Sequence, residues 1–73
     1  MSVQQQIDTA FTYQRPSQDG VNRITYLRGK LKDVAESMER LCPASRERSV
    51  ALTKLEEVMM WANAAIVREG NDG

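Results

Sequence analysis

Apolar side chains recur through the middle of the chain at Ile24, Leu27, Leu31, Val34, Met38 and Leu41, in alternating steps of three and four. That spacing keeps one face of an α-helix apolar, while Arg23, Arg28, Lys30, Lys32, Asp33, Glu36, Glu39 and Arg40 fall on the other faces. Ser17 is placed to cap this helix, with Gln18 and Asp19 in the first turn, where unpaired N–H groups favour them. The pattern predicts a helix of about 24 residues, roughly 36 Å long. Gly29 is its weak point, at about 1 kcal/mol against alanine. Leu41-Cys42-Pro43-Ala44 interrupts the periodicity, and Ser45 restarts it as a second N-cap, with Glu47 in the first turn. The second seam runs Leu52, Leu55, Met59, Ala62 and Ile66, and Gly70 is the predicted C-cap. Two such helices on a short connection pack antiparallel. The expected fold is therefore all-α, an antiparallel αα-hairpin over residues 17–70. It has a short N-terminal arm (1–16), polar and irregular, and a tail (71–73). The arm ends in FTYQRP, where Pro16 holds Arg15 extended.

One seam does not use up the second helix. In VMMWANAAIV, residues 58–67, Asn63 is the sole polar side chain. Val58, Trp61 and Ala65 form a second apolar line rotated away from the first, and Met60, Ala64 and Val67 fill much of the remainder. A two-helix hairpin covers one of these faces, so the run predicts burial between protomers of a homo-oligomer. Ala62, Ala64 and Ala65 let backbones approach closely there.

Composition narrows the chemistry. The chain has 73 residues, one cysteine and no histidine, which excludes an intramolecular disulfide and a Cys/His zinc site as stabilisers. Partner chains remain, since so short a chain buries little of its own surface. Ten basic and ten acidic residues balance to zero, which argues against DNA or RNA as a partner. MSVQQQIDTA lacks a basic stretch followed by an apolar one, and the longest apolar run is about half the roughly 20 residues of a membrane helix. A cytoplasmic protein without a membrane partner is expected.

Ser45 and Ser49 have no histidine to act as base, Glu56 and Glu57 point to different sides of a helix, and no Gly-rich phosphate loop is present. The chain thus carries no catalytic, metal or cofactor constellation and is not expected to be an enzyme. Glu56 and Glu57 read as surface partners for Lys54 and Arg48, and Cys42 as a small apolar filler. Aromatic and cationic residues do occur together: Tyr13 and Arg15 on the arm, Tyr26, Arg28 and Lys30 on the first helix, Arg68 at the end of the second. Aromatic faces stack bases and guanidinium groups pair with phosphates, so the mixture suits a small nucleotide. Solvated charges and structural tyrosines account for such a set more often than ligands do.

CPASRERSVALTKLEEVMMWANAAIVR, residues 42–68, resembles the signature of a family of small phage proteins that act as anti-CBASS cyclic-nucleotide sponges. The same helical hairpin occurs in the phage anti-Thoeris sponge, and TYQRP, residues 12–16, is similar to the family's Thr-Tyr-x-x-Pro arm. The resemblance implies a hexamer of hairpins, a trimer of dimers, that captures cyclic dinucleotides and, at separate sites, cyclic trinucleotides in the host bacterial cytoplasm. It depletes the messenger of an abortive defence.

Carried over residue by residue, the arm tyrosine that stacks on a base matches Tyr13. The basic residue that meets the phosphates falls near Arg28, with Lys30 an alternative because the match between Pro16 and Leu31 is loose. The arginine of the trinucleotide pocket matches Arg68, about 200° round the helix from Ile66 and so directed away from the intrahairpin seam. Capture without cleavage requires ground-state binding alone, about −12 kcal/mol for nanomolar affinity, and no transition-state apparatus. The alternative is a structural or assembly hairpin with no nucleotide ligand. A DNA-binding regulator is disfavoured by the balanced charges on both helices.

Overall fold

The structure, a computed structural model, describes residues 2–12 and 15–69. Three helices occur in chain order: α1 (Val3–Phe11), α2 (Gln18–Leu41) and α3 (Arg46–Val67), with no strand among the described residues.

The hairpin begins where the capping residues put it. Ser17 Oγ accepts the Gly20 N–H at 3.0 Å and opens α2, with Asp19 in its first turn. Cys42 ends that helix, its N–H donating to the Met38 carbonyl at 2.9 Å. Ser45 opens α3 by accepting the Arg48 N–H at 3.1 Å, and its own hydroxyl donates to the Pro43 carbonyl at 3.0 Å. Arg48 then reaches back across the connection. Its Nη1 donates to the carbonyls of Glu39 and Cys42, each at 3.2 Å, satisfying acceptors that the end of α2 leaves unpaired. Arg48 is thus a staple of the turn rather than the expected partner of the paired glutamates, whereas Lys54 does meet Glu57, at 3.7 Å, as expected.

The two long helices pack on each other, and this is the sole packing between elements among the described residues. Ile24 is the one large apolar side chain fully buried, with Leu27, Leu31 and Met38 of α2 and Leu52, Leu55, Met59, Ala62 and Ile66 of α3 half-buried. The predicted α3 seam therefore holds at every position. The α2 seam does not, because Val34 is 45% exposed and Leu41 76%, while Ala35 and Cys42 are half-buried in their place. Ile24 to Ala35, Leu27 to Met38 and Leu31 to Cys42 are each 11 residues apart, a repeat of about 3.67 per turn. A straight α-helix keeps its face at close to that spacing, whereas a strict seven-residue repeat holds one only by left-handed supercoiling. At the open end the space beside Gly20 is filled by neighbouring side chains. A Cβ on Gly20 would lie 3.3 Å from Ile66 Cγ2 and from Ser17 Oγ, and 3.4 Å from Pro16 Cβ.

Two further expectations change. Residues 3–11 of the arm are helical rather than irregular, because Ser2 and Gln5 form a capping box: Ser2 Oγ accepts the Gln5 N–H at 3.1 Å, and Gln5 Oε1 accepts the Ser2 N–H at 2.9 Å. Gln4 Nε2 adds a bond to Asp8 Oδ1 at 2.9 Å. Val3, Ile7 and Phe11 recur every four residues along α1, all three are exposed, and α1 packs on neither long helix. At the other end Arg68, with φ −86° and ψ −1°, occupies the cap position of α3. Gly70, predicted for that role, lies outside the described residues together with the 71–73 tail.

The molecule is long and thin, 45 × 27 × 16 Å with a radius of gyration of 15.5 Å, against roughly 11 Å for a compact chain of this length. Gly29 sits exposed in mid-α2, and a Cβ there meets nothing within 4 Å. Gly29→Ala should therefore stabilise the fold by about 0.5–1 kcal/mol in chemical denaturation. A loss instead would indicate that a neighbouring chain lies against that position.

Candidate functional site

The features that suit a ligand gather at the open end of the hairpin, where the start of α2 meets the end of α3. The antiparallel arrangement brings Arg23 to Glu69, 46 positions away in sequence, and Arg23 Nη2 donates to Glu69 Oε2. Arg23 Nε donates to Asp19 Oδ2, one turn earlier, at 2.9 Å. The guanidinium pKa is raised above its ordinary value, mainly by the Glu69 hydrogen bond, although desolvation works in the opposite direction. Glu69 is held in reach because its N–H donates to the Ile66 carbonyl at 3.2 Å, continuing the last turn of α3.

Beside this ion pair lies an open groove of about 500 Å³, lined by Asn22, Arg23, Tyr26, Leu27 and Ile66. Tyr26 stands 65% exposed on it. Lys30, one turn on, places its Nζ 5.4 Å from the centroid of the Tyr26 ring, a cation–π contact along the helix surface. The groove combines an apolar floor, an aromatic face, a side-chain amide and a guanidinium.

The site residues inferred from the sequence are distributed as follows. Lys30 belongs to the Tyr26 side of α2. Arg28 is exposed and has no ion-pair partner among the described residues. Two helical positions turn through about 200°, so Arg28 and Lys30 project to opposite sides of α2 and cannot serve one pocket of the same protomer. Arg68 is half-buried at the cap of α3, its N–H donating to the Ala64 carbonyl at 2.9 Å. Tyr13 lies outside the described residues. Arg15 is exposed beside Pro16.

Sequence reasoning missed Asn22, Arg23 and Glu69. The spacing of Asp19 and Arg23, four apart on one helix, signalled their pairing. Nothing local connects Arg23 to Glu69, since that contact exists only once the hairpin has closed.

Among the described residues no three histidine, cysteine, aspartate or glutamate side chains gather to hold a metal ion, and no helix is long and apolar enough to cross a membrane. The protein so described is an all-helical hairpin with an exposed apolar stripe and an open end where an aromatic ring lies beside an Asp19–Arg23–Glu69 ion-pair network. The chain belongs to the Acb2/Tad1 family, whose description, "Acb2/Tad1, hairpin domain", matches residues 4–67 and so takes in nearly all of α1 and the whole of α2 and α3. This is the family of anti-CBASS and anti-Thoeris sponges. Neither a curated protein nor a solved structure matches the chain.

Proposed function

We propose that the protein is a phage anti-defence sponge that binds cyclic dinucleotides and cyclic trinucleotides in the host cytoplasm and sequesters them without cleavage, so that CBASS effectors are not activated. The observation that carries this reading is the family match over residues 4–67. In it, Tyr13 stacks on a base of the dinucleotide, Arg28 or Lys30 meets its phosphates, and Arg68 serves the trinucleotide. Arg28 and Lys30 project to opposite sides of α2, so one protomer offers a given pocket only one of them, and exchanging each for alanine shows which is used. Neutral overall charge suits a small anion met by a few convergent cations rather than a DNA or RNA partner.

The same reading requires an assembly of several chains, and three observations support one. The protomer exposes 5848 Å², against roughly 4,600 Å² for a folded monomer of 8.3 kDa. Trp61 is 69% exposed, on the same unfilled stripe of α3 as Val58 and Ala65. A nine-residue helix such as α1 is marginal alone in water, and its Val3, Ile7 and Phe11 face is exposed, with no packing on α2 or α3. In a hexamer, symmetry offers copies of each cation to a ligand that itself repeats. The alternative, a structural hairpin with no nucleotide ligand, draws on this same exposed apolar surface. Calorimetry with cyclic dinucleotides separates the two, because the structural protein takes up none.

Light scattering should report a mass more than twice the 8.3 kDa protomer. Trp61→Asp should reduce that mass by placing a charge in a desolvated contact, and a monomeric wild-type protein would remove this part of the proposal.

Titration of Tyr13→Ala and Arg68→Ala with both ligand classes tests the sites. Tyr13→Ala removes a stacking platform of about 1–3 kcal/mol and should weaken cyclic dinucleotide binding by roughly ten- to a hundredfold, with trinucleotide binding kept. Arg68→Ala should do the reverse. Equal loss of both ligands in an intact oligomer would replace two sites with one.

A further inference from the structure

The groove at the open end is not accounted for by Tyr13, Arg28 or Arg68. Its volume, about 500 Å³, falls within the ordinary range of small-molecule sites, and its lining matches the parts of a nucleotide. Leu27 and Ile66 give an apolar floor. Tyr26 gives an aromatic face, with Lys30 on one side of the ring and 65% of the residue open to solvent. Asn22 carries an amide that both donates and accepts, as the edge of a base requires; its Oδ1 here accepts from Gln18 Nε2 at 3.1 Å, an exposed pairing open to exchange. Arg23 completes the set. Of its five guanidinium N–H groups, one points to Asp19 and one to Glu69, so the remainder are available to an anion.

What opposes an anion there is charge. Asp19 and Glu69 together outweigh Arg23, and a phosphate entering the groove competes directly with Glu69 for the same guanidinium. The two carboxylates differ in their hold. Both are exposed, Asp19 78% and Glu69 59%, but Asp19 is fixed on the same helix, one turn from Arg23, whereas Glu69 stands beyond the last residue of α3.

Resting on the reading of the protein as a cyclic-nucleotide binder, we propose that this groove is an additional subsite for a phosphodiester-linked nucleotide. The base stacks on Tyr26, the phosphate pairs with Arg23, and Glu69 is the intramolecular competitor that the phosphate displaces. Glu69 thereby lowers the affinity of the groove, which gives the proposal a sign that structural damage does not reproduce.

The test is calorimetry on the full chain with cyclic di-adenylate and cyclic tri-adenylate, after light scattering shows the oligomer unchanged. Glu69→Gln keeps the size and polarity of the side chain and removes the competing charge. It should tighten binding of at least one ligand by roughly three- to tenfold, with the gain shrinking as salt is raised. Tyr26→Ala should weaken the same binding event by roughly five- to a hundredfold. Should Tyr26→Ala fail to assemble, Glu69→Gln decides alone. Wild-type binding that Glu69→Gln leaves unchanged or weakens overturns the subsite and leaves the sponge reading standing. A wild-type protein that binds neither ligand overturns both.

Discussion

Two helices joined by a short turn share a single line of contact, and everything else in this protein follows from how little that line can bury. Each helix contributes roughly one residue per turn to it, so most side chains of α2 and α3 remain outside whatever their character. Ile24 alone is fully buried among the large apolar residues described, while Trp61, Met60, Val58, Val34 and Leu41 are left in the open. At Gly20, which is buried, the missing Cβ lets α2 lie against the Ile66 side chain. The caps at Ser17 and Ser45 and the Arg48 staple define where the helices start and how the turn is held. They add direction rather than bulk to the core.

That narrow core also explains where ligand chemistry collects. The connected end is occupied by the turn and its carbonyl hydrogen bonds. At the open end Arg23 and Tyr26 of α2 line an open apolar groove with Ile66, and Arg23 pairs with Glu69. A sponge needs only such ground-state complementarity, since capture without chemistry makes no demand for a positioned base or nucleophile.

The hairpin was legible in sequence because its signals are local: a serine cap followed by three-and-four spacing, twice, with proline between. So was the surplus of apolar residues on α3. The signal for α1 is local as well, a Ser2–Gln5 capping box and the four-residue spacing of Val3, Ile7 and Phe11, but it spans little more than two turns. The α2 seam was half right. Seven- and eleven-residue repeats coincide through Ile24, Leu27 and Leu31 and then part, so Val34 and Ala35 compete for the next inward position. A leucine-sized side chain is not drawn inward by hydrophobicity when helix geometry turns it away.

The sequence by itself determined the class of fold, the serine-capped starts of the two long helices, the family and the excess of apolar surface. Each of these rests on residues within a few turns of one another or on the identity of side chains. The tertiary structure alone decided that Ala35 and Cys42 rather than Val34 and Leu41 face α3. It placed Lys30 against the ring of Tyr26, which lines the open-end groove, and it joined Arg23 to Glu69. Those facts depend on the angle at which one helix meets another and on the distance between residues far apart in the chain, neither of which exists until the hairpin closes.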